Sequence, residues 1–263
     1  INYLEEDYMW EFSINLTCDN LTSGKYIYHK LKEQALQFGS VVTSYECDGF
    51  MTIVIGCEQF DKVRMQYAIN DILVYVICNF FKEKFLEKYI NVPLKNEINM
   101  VALKKALVSF DKETDVHIIQ KYLTIENNIY LESFFDFKLI ALKNKWLELV
   151  KLANDNSSFL ICDDTYCELL KFLIDNLEVC FDQINIVEVG EDYKLCDNSF
   201  CTLEKGEQTI GDDKLVERLI SLCPRVINIY CDECEGVERP AIKLISRIFD
   251  SRVKVMPKEL AHT

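Results

Sequence analysis

Between Gly56 and Gly190 the chain runs for about half its length without a single glycine. Glycine marks turns and weakens helices, so this gap predicts a helical middle, broken near Pro93 and at asparagine-rich loops. Glycine returns only where the pattern changes back to short strands. The predicted fold class is therefore α+β, with strands at both ends and helices between.

The opening third reads β-α-β-β-α. Tyr8, Trp10, Phe12, Ile14 and Leu16 alternate with Glu11, Ser13 and Asn15, the period of a half-buried strand. A helix is expected over 25–38. The runs 41–47 and 50–56 flank Asp48-Gly49, a two-residue hairpin signal. A helix over 60–90 follows, with Phe60, Val63, Tyr67, Val74, Ile77, Phe81 and Phe85 on one stripe. Its apolar stretch, Tyr67 to Phe81, holds Asn70, Asp71 and Asn79 and is shorter than the roughly 20 apolar residues of a membrane span. A buried amphipathic helix is expected there, and no membrane insertion.

In the middle, Leu131, Phe135, Leu139, Leu142, Trp146 and Leu149 line one helix face. Trp146 is expected to be buried against a second helix at 165–177, opened by the capping-box pattern Thr165-x-x-Glu168. In the last third, 184–189 and 193–196 straddle Gly190 as a hairpin, with a third short strand over 200–203. Asp212-Asp213 begin a helix that ends before Pro224. A strand at 226–230, a helix with Pro240 in its first turn and a strand at 252–256 complete the pattern. This β-α-β-α-β ending predicts a small Rossmann-like layer. The expected organisation is an N-terminal α/β unit (1–92), a helical middle (93–180) and a C-terminal α/β unit (181–257).

The formal net charge is −14, and it is uneven. Lys and Arg against Asp and Glu number 3 to 9 over residues 1–60, 13 to 12 over 61–150, and 13 to 22 over 151–263. An acidic surface repels phosphate backbones, so nucleic acid is not an expected partner. Lys82, Lys84 and Lys88 form a local basic cluster, read here as a solvated helix face. Twelve cysteines lie mostly in apolar runs, such as Cys57 and Cys78, as small buried hydrophobes do in a reducing compartment. The first residues are acidic where a secretory leader would be basic. The expectation is a cytoplasmic chain with reduced thiols.

Catalytic signatures are missing. His29, His117 and His262 have no partner at ligand or triad spacing. No phosphate-loop, nucleophile-elbow or zinc-protease pattern occurs, and the glycines of Gly206–Gly211 are too far apart to cradle phosphate. Asp163-Asp164 and Asp212-Asp213 read as acids at helix starts. Cys231-Asp232-Glu233-Cys234 is the most pointed feature, since paired thiolates are what metals and disulfide exchange require. Its acidic neighbours suppress thiolate, however, and only Cys196 and Cys201 stand ready to complete a zinc site. Neither a metal nor an organic cofactor is expected.

Residues 128–139 (Asn-Ile-Tyr-Leu-Glu-Ser-Phe-Phe-Asp-Phe-Lys-Leu), 166–173 (Tyr-Cys-Glu-Leu-Leu-Lys-Phe-Leu), the hairpin at 184–196, the helix at 215–222 and 224–229 (Pro-Arg-Val-Ile-Asn-Ile) resemble the YtxC family of sporulation proteins from spore-forming Gram-positive bacteria. The resemblance covers roughly 125–255. It implies a cytoplasmic sporulation protein with no assigned activity, and no catalytic residue to carry over. Members tend to end in a cysteine-rich stretch after the last strand, which Val253-Lys254-Val255-Met256-Pro257 and its tail do not share.

Three functional readings follow. The first is a non-enzymatic factor acting through an unidentified protein partner. The second is a small-ligand binder or enzyme using the C-terminal layer, with its cleft near Tyr230 and Cys231. The third is a zinc-stabilised protein.

Overall fold

The computed structural model describes residues 9–94, 96–155, 163–203, 209–232 and 239–262. The chain divides into two compact units, one of residues 1–85 and 112–147, the other of 86–111 and 148–263.

The first unit is built on a four-stranded sheet in the order β2-β3-β1-β4. Strand β1 (Met9–Thr17) leads through α1 (Leu21–Phe38) to the hairpin β2 (Val41–Cys47) and β3 (Phe50–Glu58), then to α2 (Lys62–Val76). The opening β-α-β-β-α pattern is therefore present as expected. Asp48 and Gly49 take φ of 51° and 80°, the double left-handed turn that matches strand twist and sets the hairpin register. The one-to-one pairs run from Val41 with Gly56 to Cys47 with Phe50.

On one sheet face Trp10, Phe12, Ile14 and Leu16 pair across β1 and β3 with Cys57, Ile55, Ile53 and Met51, and all are buried. Helix α1 lies close over this face at Gly24, where an added Cβ would meet Met51 Sδ at 2.6 Å. Strand β4 (Asn128–Tyr130) pairs parallel with β1 and runs directly into α6 (Leu131–Lys138). There Glu132 Oε1 accepts from Thr17 N at 2.9 Å, Thr17 Oγ1 at 3.0 Å and Asn20 Nδ2 at 2.7 Å, tying α6 to the β1–α1 turn. Helices α3 (Lys82–Glu87), α4 (Glu97–Ser109) and α5 (Lys112–Tyr122) precede β4.

Two expected helices differ in detail. The buried side of α2 carries Met65, Ile69, Leu73 and Val76, whereas Phe60, Val63 and Tyr67 are exposed. Apolar residues occur all round this helix, so spacing alone selected the wrong stripe for its first half. After α2 a π-helical turn, Ile77–Phe81, continues into α3, with Lys82 N donating to Ile77 O. The stripe from Leu131 to Leu149 is not one helix but two, α6 and α7 (Ile140–Asp155), separated at Leu139. Leu139 itself is fully buried, so the apolar pattern continues through the break and hides it.

The second unit holds a sheet in the order β6-β5-β7-β8. Strands β5 (Phe181–Val189) and β6 (Asp192–Cys196) form the hairpin, and β5, β7 (Pro224–Cys231) and β8 (Val253–Pro257) run parallel. Helices α9 (Asp212–Leu222) and α10 (Pro240–Phe249) make the crossovers. The two helices pack against each other, which places them on one face of the sheet. The small Rossmann-like layer is thus present.

Ile184, Ile186, Ile227 and Ile229 give the sheet one apolar face. The other carries an amide chain: Gln183 Nε2 and Asn228 Nδ2 donate to Asn185 Oδ1 at 3.1 and 2.9 Å, and Asn185 Nδ2 donates to Asp197 O at 2.8 Å. Residues 200–203 form only an isolated bridge, Thr202 to Cys196, rather than a strand. Helix α8 (Asp163–Asp175) starts at Asp163, so Thr165 lies inside its first turn and not at the cap. Arg247 of α10 holds Asp164 at 2.6 Å and Asp163 at 3.7 Å.

Candidate interaction surface

The side of the N-terminal sheet away from its core is open. Pleating and register arrange its side chains in rows across the strands. Val41, Gly56 and Glu11 form one row; Thr43, Val54, Ser13 and Asn128 the next; Tyr45, Thr52, Asn15 and Tyr130 the third; Cys47, Phe50 and Thr17 the fourth. Thr52 Oγ1 donates to Asn15 Oδ1 at 2.9 Å, so the polar residues at the centre are tied down. Around them the large side chains stand in solvent: Val41 is 62% exposed, Tyr45 54%, Phe50 40% and Tyr130 52%. The rings of Phe50 and Tyr130 meet edge-on at 6.4 Å across β1. Strands β1 to β4 contain three glutamates (Glu11, Glu46 and Glu58) and not one lysine or arginine. Exposed aromatic and aliphatic side chains contiguous on a flat face are characteristic of recognition surfaces.

The same unit buries a charged knot. Asp115 on α5 is fully buried. Its Oδ2 accepts from Lys82 Nζ at 2.7 Å and Trp146 Nε1 at 3.0 Å, and its Oδ1 accepts from Lys145 Nζ at 2.9 Å. Lys82 Nζ also lies 5.6 Å from the centre of the Trp146 ring. Trp146 is buried as expected, but its ring partners are Phe85 and Phe135, at 5.7 and 6.0 Å, and not residues of the helix over 165–177. Burial holds the Lys82 ammonium below the usual lysine range, against the opposing pull of Asp115. Burial, with Asp115 adding to it, pushes the nearby Cys78 thiol up to about 12. The solvated basic cluster expected at Lys82, Lys84 and Lys88 is therefore corrected. Lys82 is 1% exposed and buried in the knot, while Lys84 Nζ donates to Asn20 Oδ1 at 3.0 Å. The helix turns Lys82 inward to a carboxylate that makes its burial tolerable.

In the second unit, Arg239, at the N-terminus of α10, joins Glu188 on β5 and Asp212 on α9, each at 3.3 Å. It also donates to Glu191 O and stacks its guanidinium 4.3 Å from the centre of the Tyr193 ring. Burial raises the Tyr193 hydroxyl well above the ordinary tyrosine range. These groups stand at the carboxyl end of β5, where parallel sheets commonly take ligands.

The sulfur candidates do not converge. Cys196 shares a row with Asn185 and Asn228, whereas Cys231 lies three residues beyond Asn228 and so points to the other face. Cys201 is exposed, and Cys234 lies outside the described residues. Among the described residues no group of three or more His, Cys, Asp or Glu is placed to hold a metal ion. Tyr230, where a cleft was expected, is packed with Val187 and Ala261 against Met256, and its ring meets Phe200 at 5.5 Å. Among the described residues no helix is long and apolar enough to cross a membrane.

Over residues 67–254, more than half of the chain, the sequence matches the YtxC-like family. The chain belongs to this family. No curated protein and no solved structure matches it. The YtxC-like segment begins within α2 and ends within β8, so it contains the Lys82–Asp115–Trp146 knot and the C-terminal layer as far as Lys254; of the open face it contains only β4. The resemblance read from 128–139, 166–173 and 184–229 lies wholly inside it. Sequence reasoning passed over both main features of this YtxC-like chain. The knot joins residues far apart in sequence, and its signal was a lysine beside apolar Phe80 and Phe81. The open face needed the strand register, which brings Tyr45, Phe50 and Tyr130 together.

Proposed function

We propose that this YtxC-like chain is a cytoplasmic, sporulation-associated protein that works by binding another protein, not by catalysis, and that the open face of the N-terminal sheet is its contact surface. The observation that carries this reading is that Val41, Tyr45, Phe50 and Tyr130 are all exposed on one face of a sheet whose central strands β1 and β3 are packed on the other. Large aromatics anchor protein interfaces because they gain much contact area for little lost rotamer freedom. The lack of lysine and arginine on these strands speaks against nucleic acid. A photoreactive amino acid placed at Tyr45 should give discrete protein adducts in sporulating cells, and the same residue at Phe172 on α8 should not. Adducts at Phe172 with none at Tyr45 would remove this surface from consideration.

A second reading, a small-ligand binder or enzyme, is favoured by one observation only. Glu188, Arg239, Asp212 and Tyr193 gather at the carboxyl end of β5. A ligand there would have to displace carboxylates from Arg239, and a thermal-shift screen of small anions with Arg239→Met as control tests it.

A further inference from the structure

We propose that the partner is an extended segment rich in arginine or lysine, which adds as a fifth strand beside β2 and lays its cations over the aromatic rows of the open face. The inference rests on the protein-binding reading above and names the chemistry of what binds.

The first argument is the edge. Among the described residues β2 pairs with β3 alone. A two-residue turn makes Cys47 and Phe50 a pair that exchanges both hydrogen bonds. Alternation then turns the backbone groups of Val41, Thr43, Tyr45 and Cys47 toward β3, and those of Val42, Ser44 and Glu46 outward. Sheet edges are ordinarily blunted by charged side chains, lysine above all, by proline or by a bulge. The segment Val-Val-Thr-Ser-Tyr-Glu-Cys has no lysine or proline, its one charge, Glu46, would attract a cationic strand, and its pairing with β3 is one-to-one throughout. An added strand would take the outward groups as its ladder.

The second argument is charge. Alternate side chains of that strand would lie beside Val41, Thr43, Tyr45 and Cys47 on the open face. Glu11 and Glu58 share this face, and Asp48 stands at the hairpin tip. Carboxylates and the faces of exposed rings both attract cations, guanidinium above all. Single-stranded RNA also stacks on sheet aromatics, but its phosphates need cations that this sheet lacks. A second copy of the chain would set the same carboxylates against each other.

The test is a backbone-amide NMR titration of the full chain with three probes. They are a synthetic peptide alternating Arg and Thr, the same peptide with Glu for Arg, and octauridylate. The Arg peptide should shift the amides of Val42, Ser44 and Glu46 and slow their exchange with solvent, less so as salt is raised; the other two probes should leave them in place. Ser44→Pro removes one outward amide without removing a bond to β3, and should abolish the response. Tyr45→Ser keeps the edge intact and should weaken binding, which guards against misfolding of the proline variant. Silence toward the Arg peptide would overturn the inference. So would an equal response to the Glu peptide or to octauridylate, or a dimer whose β2 amides are already protected. If adducts form at Tyr45 while the Arg peptide leaves these amides unmoved, the contact surface stands and the partner chemistry falls. If no adducts form, both fall.

Discussion

Lys82 Nζ lies 2.7 Å from Asp115 Oδ2, and the two side chains are 1% and 0% exposed. Asp115 is the shared acceptor of Lys82, Lys145 and Trp146, so removing it withdraws the opposing charge from a buried ammonium, a loss of about 3–5 kcal/mol. Asp115→Leu should therefore be strongly destabilising in urea unfolding. Asp115→Leu combined with Lys82→Met should recover part of that loss, because the buried ammonium is removed with its carboxylate. Equal destabilisation by the single and double variants would show that shape, not charge, is what the site needs.

Trp146→Ala empties the space between Phe85 and Phe135 and should cost about 3–5 kcal/mol. Trp146→Phe keeps a ring but gives up the indole bond to Asp115 at 3.0 Å, worth about 1–3 kcal/mol. The ordering of the two midpoints in thermal unfolding separates packing from hydrogen bonding. Midpoints unchanged from the parent would place Trp146 outside the core.

Stability should fall in alkali. The Cys78 thiol is raised to about 12, and Cys57, Cys167, Cys196, Cys223 and Cys231 are raised as well, burial being the first cause in each. Their unfolded counterparts ionise near the ordinary thiol value of 9.0. Above that pH the unfolded chain binds fewer protons than the folded one, so unfolding becomes easier as pH rises. Lys82, shifted the other way, opposes this as a single group against six. Urea midpoints at pH 8 and pH 10 measure the balance, and a higher midpoint at pH 10 would contradict it.

Brief alkylation of the native protein should label Cys47, Cys180 and Cys201, which are exposed, before the six thiols that are buried among the described residues. Mass spectrometry of the labelled peptides reports the order. Elemental analysis of the same protein, purified without chelator, should find no stoichiometric zinc, given that Cys196 and Cys231 face opposite sides of their sheet. One zinc per chain would mean that Cys234 completes a site from another direction.

Local signals were legible wherever one residue type has a single structural use. Asp48-Gly49 named its turn because both positions need positive φ, and Asp212-Asp213 and Pro240 marked the starts of α9 and α10. Periodicity failed on α2, where Val63 and Tyr67 are as apolar as Met65 and Ile69 and only packing chooses between them. It failed again at Leu139, because a helix break with a buried side chain leaves the pattern uninterrupted. The knot was illegible for a different reason. A lone lysine is read as solvated by default, and Asp115 is 33 residues away. The open face fell between these cases. Glu11, Ser13 and Asn15 announced a solvent side, but Tyr45, Phe50 and Tyr130 join it only through cross-strand register.

The π-helical turn at Ile77–Phe81 amounts to one residue more than an α-helix would need between α2 and α3. A π turn fits its extra residue by widening, so the helix beyond it keeps its facing. Loss of a single codon within that turn would restore an unbroken ladder and still leave Lys82 directed at Asp115. The segment ahead of the ion pair is thus a place where a lineage can shorten the chain by one residue and inherit the pair unchanged.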